Sequence, residues 1–181
     1  MGSYCLFCKS GQEGEVITLL ERGGMKAFSP LAVRNKPGEG GLRRVKARLL
    51  PGYVFFDAEG EPDWERIRRY SAVLKVLRYE DGTCAMRGED LAFVRWLKQY
   101  EGTVDVSEVV RVGTKIAFVS GPLVGMEAKV LQVNKSRRAV QIALGDENAL
   151  FRNVWCSIEY VESNLDFDVL HRSGQPDERL P

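Results

Sequence analysis

The chain has 181 residues, 44% of them hydrophobic and 28% charged, with 26 Lys and Arg against 25 Asp and Glu. These proportions argue against intrinsic disorder, and no apolar run approaches the roughly 18 residues that a membrane span needs. The size allows one medium domain or two small ones, and Met1 to Cys8 lacks the basic and long apolar segments of a secretory leader, so a cytoplasmic chain without membrane contact is expected.

Tyr4–Cys8 alternates as a strand, which puts Cys5 and Cys8 on opposite faces; no second Cys pair or nearby His completes a zinc site, and no metal is expected. Ser10-Gly-Gln-Glu13 has capping-box spacing ahead of a helix carrying Val16, Leu19 and Leu20 and ending at Gly23-Gly24. Met25–Pro30 resumes as a strand. Residues 31–49 read as a polar hairpin with an exposed tip at Pro37–Gly41 and with Arg43, Arg44, Lys46 and Arg48 on its second arm. Tyr53–Phe56 is a buried strand, and Trp64–Tyr70 is a short helix after Pro62. Val73–Arg78 is a strand that should pair with Thr83–Met86 through Glu80-Asp-Gly82. Phe93, Trp96, Leu97 and Tyr100 mark an amphipathic helix. The block 1–101 is therefore an α+β sandwich in which helices cover one face of a mainly antiparallel sheet.

Residues 102–110 are small, polar and acidic without a core-forming period, which suits a flexible linker between two domains. In 111–162 the period changes to short strands at Lys115–Val119, Ala128–Val133, Ala139–Leu144 and Val154–Ile158, for which a small barrel is the natural closure. Residues 163–181 form a polar tail holding His171, the chain's single histidine. Net charge runs +3 over 1–101, −2 over 102–110, +3 over 111–161 and −3 over 162–181. With no histidine in a core segment and no phosphate loop, an enzyme is the weakest of the functional readings.

Three stretches together resemble the NusG family of transcription elongation factors: Tyr4-Cys-Leu-Phe-Cys-Lys-Ser-Gly-Gln-Glu13, Leu49-Leu-Pro-Gly-Tyr-Val-Phe-Phe56 and Gly121-Pro-Leu-Val-Gly-Met-Glu-Ala-Lys-Val130. The resemblance implies a bacterial two-domain protein, with an NGN domain at 1–101 and a small SH3-like KOW β-barrel at 111–162. Gly121–Glu127 followed by Asn134–Ala139 is most similar to the specialised antitermination paralogues of the LoaP, UpxY and RfaH kind. The sequence departs from the family pattern at Ser3, where Trp is frequent, and at Ala128, where Gly is frequent in the KOW turn.

The function so implied requires no reaction and no cofactor: a monomer binds the clamp helices of RNA polymerase and favours processive elongation. The polymerase-binding candidates are Phe7, Leu50, Pro51 and Tyr53, although aromatics beside Val54 and Phe55 also suit a core. Candidates for the non-template DNA strand are Lys9, Gln12, Arg22, Arg69 and Tyr70, against the plain alternative of a solvated charged face. For a nascent RNA hairpin, or for a protein partner such as a ribosomal protein or Rho, they are Lys129, Lys135, Arg137, Arg138 and Arg152, which also serve simple solubility. A ribosome-associated KOW RNA-binding protein is the alternative from another class.

Overall fold

The computed structural model describes residues 1–161, so the tail and His171 lie outside the described residues. The elements in chain order are β1 (Gly2–Cys8), α1 (Glu13–Arg22), β2 (Lys26–Phe28), β3 (Leu31–Gly38), β4 (Gly41–Arg48), β5 (Tyr53–Ala58), α2 (Trp64–Arg68), β6 (Val73–Val76) and α3 (Gly88–Gln99). They continue with β7 (Thr103–Val104), β8 (Ser107–Val112), β9 (Lys115–Ser120), a 3-10 turn (Glu127–Lys129), β10 (Val130–Asn134), β11 (Ala139–Ala143) and β12 (Asn153–Tyr160). None of the described helices is long and apolar enough to cross a membrane.

The first sheet has the order β2-β5-β1-β6, antiparallel throughout. Its alternation sorts side chains strictly. Tyr4, Leu6, Cys8, Val54 and Phe56 pack with Val16 and Leu20 of α1 and Ile67 of α2, whereas Cys5 and Phe55 face Phe93, Val94 and Leu97 of α3. Helices therefore cover both faces, not the single face expected, because the central strands β1 and β5 are apolar on each side. The strand expected at Thr83–Met86 is also absent: a turn closed by the Tyr79 amide on the Thr83 carbonyl ends in Met86, whose N–H bonds the Ser3 carbonyl. Ser3 itself joins a polar cluster, donating to Asp57 at 2.6 Å beside Lys98, where an apolar side chain was the family pattern.

The hairpin forms as the sequence predicts, β3 against β4 from Leu31↔Arg48 to Gly38↔Gly41. Segment 102–110 is not a free linker. β7 pairs in parallel with β3, and β8 pairs with β12 and β9; Val104, Val106, Ser107, Val109 and Val110 are buried. Val104 belongs to β7 and Ser107 to β8, with exposed Asp105 and buried Val106 between the two strands and exposed Glu108 within β8, so acidic residues disguise a largely buried segment. The second sheet runs β10-β11-β12-β8-β9, so β8 adds a strand to the four predicted. Ala128 sits in the 3-10 turn and is not among the positive-φ residues, so alanine is unstrained there.

Two separate cores were expected, yet one buried cluster runs through both halves, from Cys5, Phe55, Phe93 and Leu97 to Val109, Leu123, Ile142, Phe151 and Ile158. The hairpin adds polar ties to β12: Arg34 donates to the Trp155 carbonyl at 2.6 Å, Asn35 to the Ile158 carbonyl at 3.3 Å, and Arg44 pairs with Glu159 at 2.5 Å.

Candidate interaction surface

Leu50, Pro51, Gly52 and Tyr53 make a tight turn in which the Tyr53 amide donates to the Leu50 carbonyl and Gly52 has φ +83. Proline before a positive-φ glycine is the type II signature, and it projects the start of β5 beside β1. Only glycine fits, since a Cβ at position 52 would lie 2.7 Å from the Phe7 ring and 2.9 Å from the Cys8 carbonyl. Glu13 holds the turn from α1. Its buried carboxylate accepts from the Gly52 amide and from the Gly11 amide, each at 2.8 Å, instead of closing the expected capping box with Ser10.

Burial alone would raise the Glu13 pKa, but the backbone N–H groups, Gly52 first, together with Arg48 at 3.9 Å hold the carboxyl below its ordinary value. A carboxylate with a depressed folded pKa stabilises the protein above its unfolded value of about 4.3, and that contribution disappears as pH falls through the folded value. Denaturation midpoints measured between about pH 7 and pH 3 should therefore fall more steeply for the parent than for Glu13→Gln; equal slopes would remove Glu13 from this role.

The turn brings the four polymerase-binding candidates together. The Phe7 and Tyr53 rings lie 5.0 Å apart, both half-buried, with Leu50 half-buried and Pro51 exposed beside them. On their inner side stands a residue the sequence reading passed over. Phe151, in the loop between β11 and β12, packs its ring 5.5 Å from Tyr53, 5.3 Å from Phe55 and 5.6 Å from Phe93.

Asp90, in the first turn of α3 and 3% exposed, anchors that loop: it accepts the Leu150 and Phe151 amides at 3.1 Å each and the Tyr79 hydroxyl at 2.8 Å. Burial first, and then the Asp90 carboxylate, push the Tyr79 phenol up to about 12, which keeps it a donor across the ordinary pH range. Trp96 adds a bond from its indole N–H to the Pro122 carbonyl at 3.2 Å. Nothing in the local sequence distinguishes Asp90 from an ordinary acidic residue at a helix start, so its role as an anchor was not legible.

The other two candidate sets scatter. Lys9 and Gln12 precede α1, whereas Arg22 ends it, about 15 Å further along a ten-residue helix. Arg69 caps α2, and half-buried Tyr70 lines a cleft beside Gly23 and Gly24. In the second half, Lys135, Arg137 and Arg138 gather at the β10–β11 turn, where Asn134 accepts the Arg137 amide at 2.9 Å. Lys129 sits in the 3-10 turn near Trp96, and Arg152 donates to the Glu147 carbonyl, so neither joins that group. On the hairpin, Arg44 is paired with Glu159 and Arg48 lies near Glu13; Arg43 and Lys46 remain exposed without an acidic partner among the described residues. Among the described residues no group of three or more His, Cys, Asp or Glu gathers to hold a metal, and Cys5 and Cys8 are buried in different clusters.

The family model for "Transcription termination factor nusG" matches residues 3–95, just over half of the chain, from Ser3 in β1 through β6 and into α3, with the turn at 50–53 included. The chain belongs to the NusG family. Among solved structures, it is similar to one described as "Domain interaction in Thermotoga maritima NusG", with 18% identity, 85% of this chain and 90% of that one covered, and a TM-score of 0.47. A second, "Crystal Structure of MjSpt4:Spt5 complex conformation B", has 19% identity, coverage of 86% and 91%, and a TM-score of 0.31. No curated protein sequence matches this chain at a significant level. The matched span of the NusG family contains Phe7, Leu50, Pro51 and Tyr53 and also Asp90, whereas Phe151 lies beyond it.

Proposed function

We propose that this chain is a transcription elongation factor that binds the clamp helices of RNA polymerase through Phe7, Leu50, Pro51 and Tyr53, as a specialised NusG paralogue acting on selected operons. The observation that carries the reading is the turn at residues 49–53. It lies within the family match and sets an aromatic pair and an exposed proline at the surface on a scaffold held by Glu13. Binding, not catalysis, is what such a surface performs: a factor that prefers the closed, elongating clamp shifts the population towards it by its differential affinity, about tenfold for each 1.4 kcal/mol. The second half is a KOW barrel that binds RNA or a protein partner through the basic β10–β11 turn, and upstream DNA meets Lys9 and Gln12.

Phe151 adds a condition. Because its ring packs on Tyr53, a partner that engages the inner edge of the patch competes with the β11–β12 loop for it. The purified full chain, added to transcription reactions on templates with pause sites and terminators, should copurify with polymerase and increase read-through. Failure to associate with actively transcribing polymerase overturns the proposal.

A further inference from the structure

Between the hairpin and β12 lies a cleft of about 560 Å³, a size that suits a small ligand. One wall comes from each half of the chain: Arg34, Pro37 and Leu42 from the hairpin, and Asn134, Arg137 and Trp155 from the second sheet and its turn. None of the lining residues is acidic. They supply two guanidinium groups, amides and hydroxyls beside a partly exposed indole and Leu42, which is 48% exposed.

Arg34 is the informative member. It is half-buried, it has no carboxylate within 4.0 Å among the described residues, and one N–H of its fork is spent on the Trp155 carbonyl. Withdrawing a guanidinium from water without a counter-charge is costly, and burial lowers its pKa accordingly. An anion entering the cleft would reverse that cost. Arg137 at the opposite lip is exposed and also without a carboxylate partner among the described residues. A ligand that satisfies the site has negative charge for the two guanidinium groups, a flat face for the indole, and hydrogen-bonding edges for Asn134 and Ser157.

We infer that this cleft takes an unpaired nucleotide of a single nucleic-acid strand, its base against Trp155 and its phosphate between Arg34 and Arg137. The inference rests on reading the second half as a nucleic-acid-binding module and gives that reading a defined pocket. Base stacking on an aromatic side chain tolerates any sequence, so shape and charge rather than a base code would select the ligand.

The test uses the full chain labelled with 5-fluorotryptophan, whose three tryptophans are assigned by Trp→Phe variants, and short unstructured oligouridylate and oligodeoxythymidylate as probes. Fluorine NMR should show the Trp155 resonance moving on titration, while that of Trp64, packed between Tyr4 and Phe56, stays still. Arg137→Ala should weaken binding about tenfold, and Arg95→Ala, exposed on α3 and outside the cleft, should change it by less than about twofold. Movement of the Trp155 resonance supports the pocket; with it, tighter binding of the RNA probe identifies the transcript as the source, and tighter binding of the DNA probe identifies a displaced DNA strand. Binding that leaves Trp155 unmoved and responds equally to both arginine variants overturns the pocket but spares the basic module. Absence of binding to both probes overturns both.

Discussion

Asp90→Ala is expected to release the β11–β12 loop from α3 and to strengthen the association with polymerase. The carboxylate accepts two amides of that loop and the Tyr79 hydroxyl from a position almost closed to water. Hydrogen bonds to a charged group contribute about 1.5–3 kcal/mol each, so losing both loop bonds shifts the balance between packed and separated halves by about 3 kcal/mol, roughly a hundredfold. The cost falls on the packed arrangement alone, because in a separated one water solvates Asp90 and both amides. Hydrogen exchange at Leu150 and Phe151 should accelerate by about that factor, and polymerase affinity should rise once Phe151 no longer covers Tyr53. Asp90→Asn keeps a carbonyl acceptor and should lie between the two, which separates loss of the anchor from general unfolding. Unchanged exchange at both amides would show that the loop is held by apolar packing alone.

Tyr53→Ala is expected to weaken polymerase binding at least about tenfold while the protein stays folded, since truncating an aromatic anchor typically costs an interface more than 1 kcal/mol. Tyr53 is only half-buried, so its loss leaves the sheet intact. Phe55, two residues on and fully buried, is the contrast: Phe55→Ala should cost about 3–5 kcal/mol in stability and is unsuitable as a binding probe. Tyr53 also touches Phe151, so its removal loosens the covering loop and partly offsets the lost contact. Combining it with Asp90→Ala removes that offset, and the double variant should show the larger loss relative to its own parent. Equal polymerase affinity with and without Tyr53 in both backgrounds would take the patch out of the interface.

Much of the first half was readable from residue order, because each feature rests on neighbours in sequence. Alternation in Tyr4–Cys8 and Tyr53–Phe56 specifies strands, and the hairpin closes with its glycine-rich tip exposed. The same local reasoning failed for 102–110, where exposed Asp105, between β7 and β8, and exposed Glu108, within β8, interrupt the buried Val104, Val106, Ser107, Val109 and Val110. It failed again for Glu13, whose carboxylate accepts from the Gly11 amide and from the Gly52 amide on a turn 39 residues away instead of closing the box with Ser10.

Periodicity tells which side chains avoid water, and composition tells that there are enough apolar residues to build a core. Neither says what a buried surface is buried against. That Phe55 faces Phe93 and Phe151, that Asp90 holds a loop 60 residues further along, and that Arg34 and Trp155 share a cleft were decided by the tertiary structure. Sequence determined most of the strands, the hairpin and the family; packing determined which patch is covered and by what, since contacts between distant segments depend on complementary shape and on pairing of buried polar groups, which no short stretch of residues encodes.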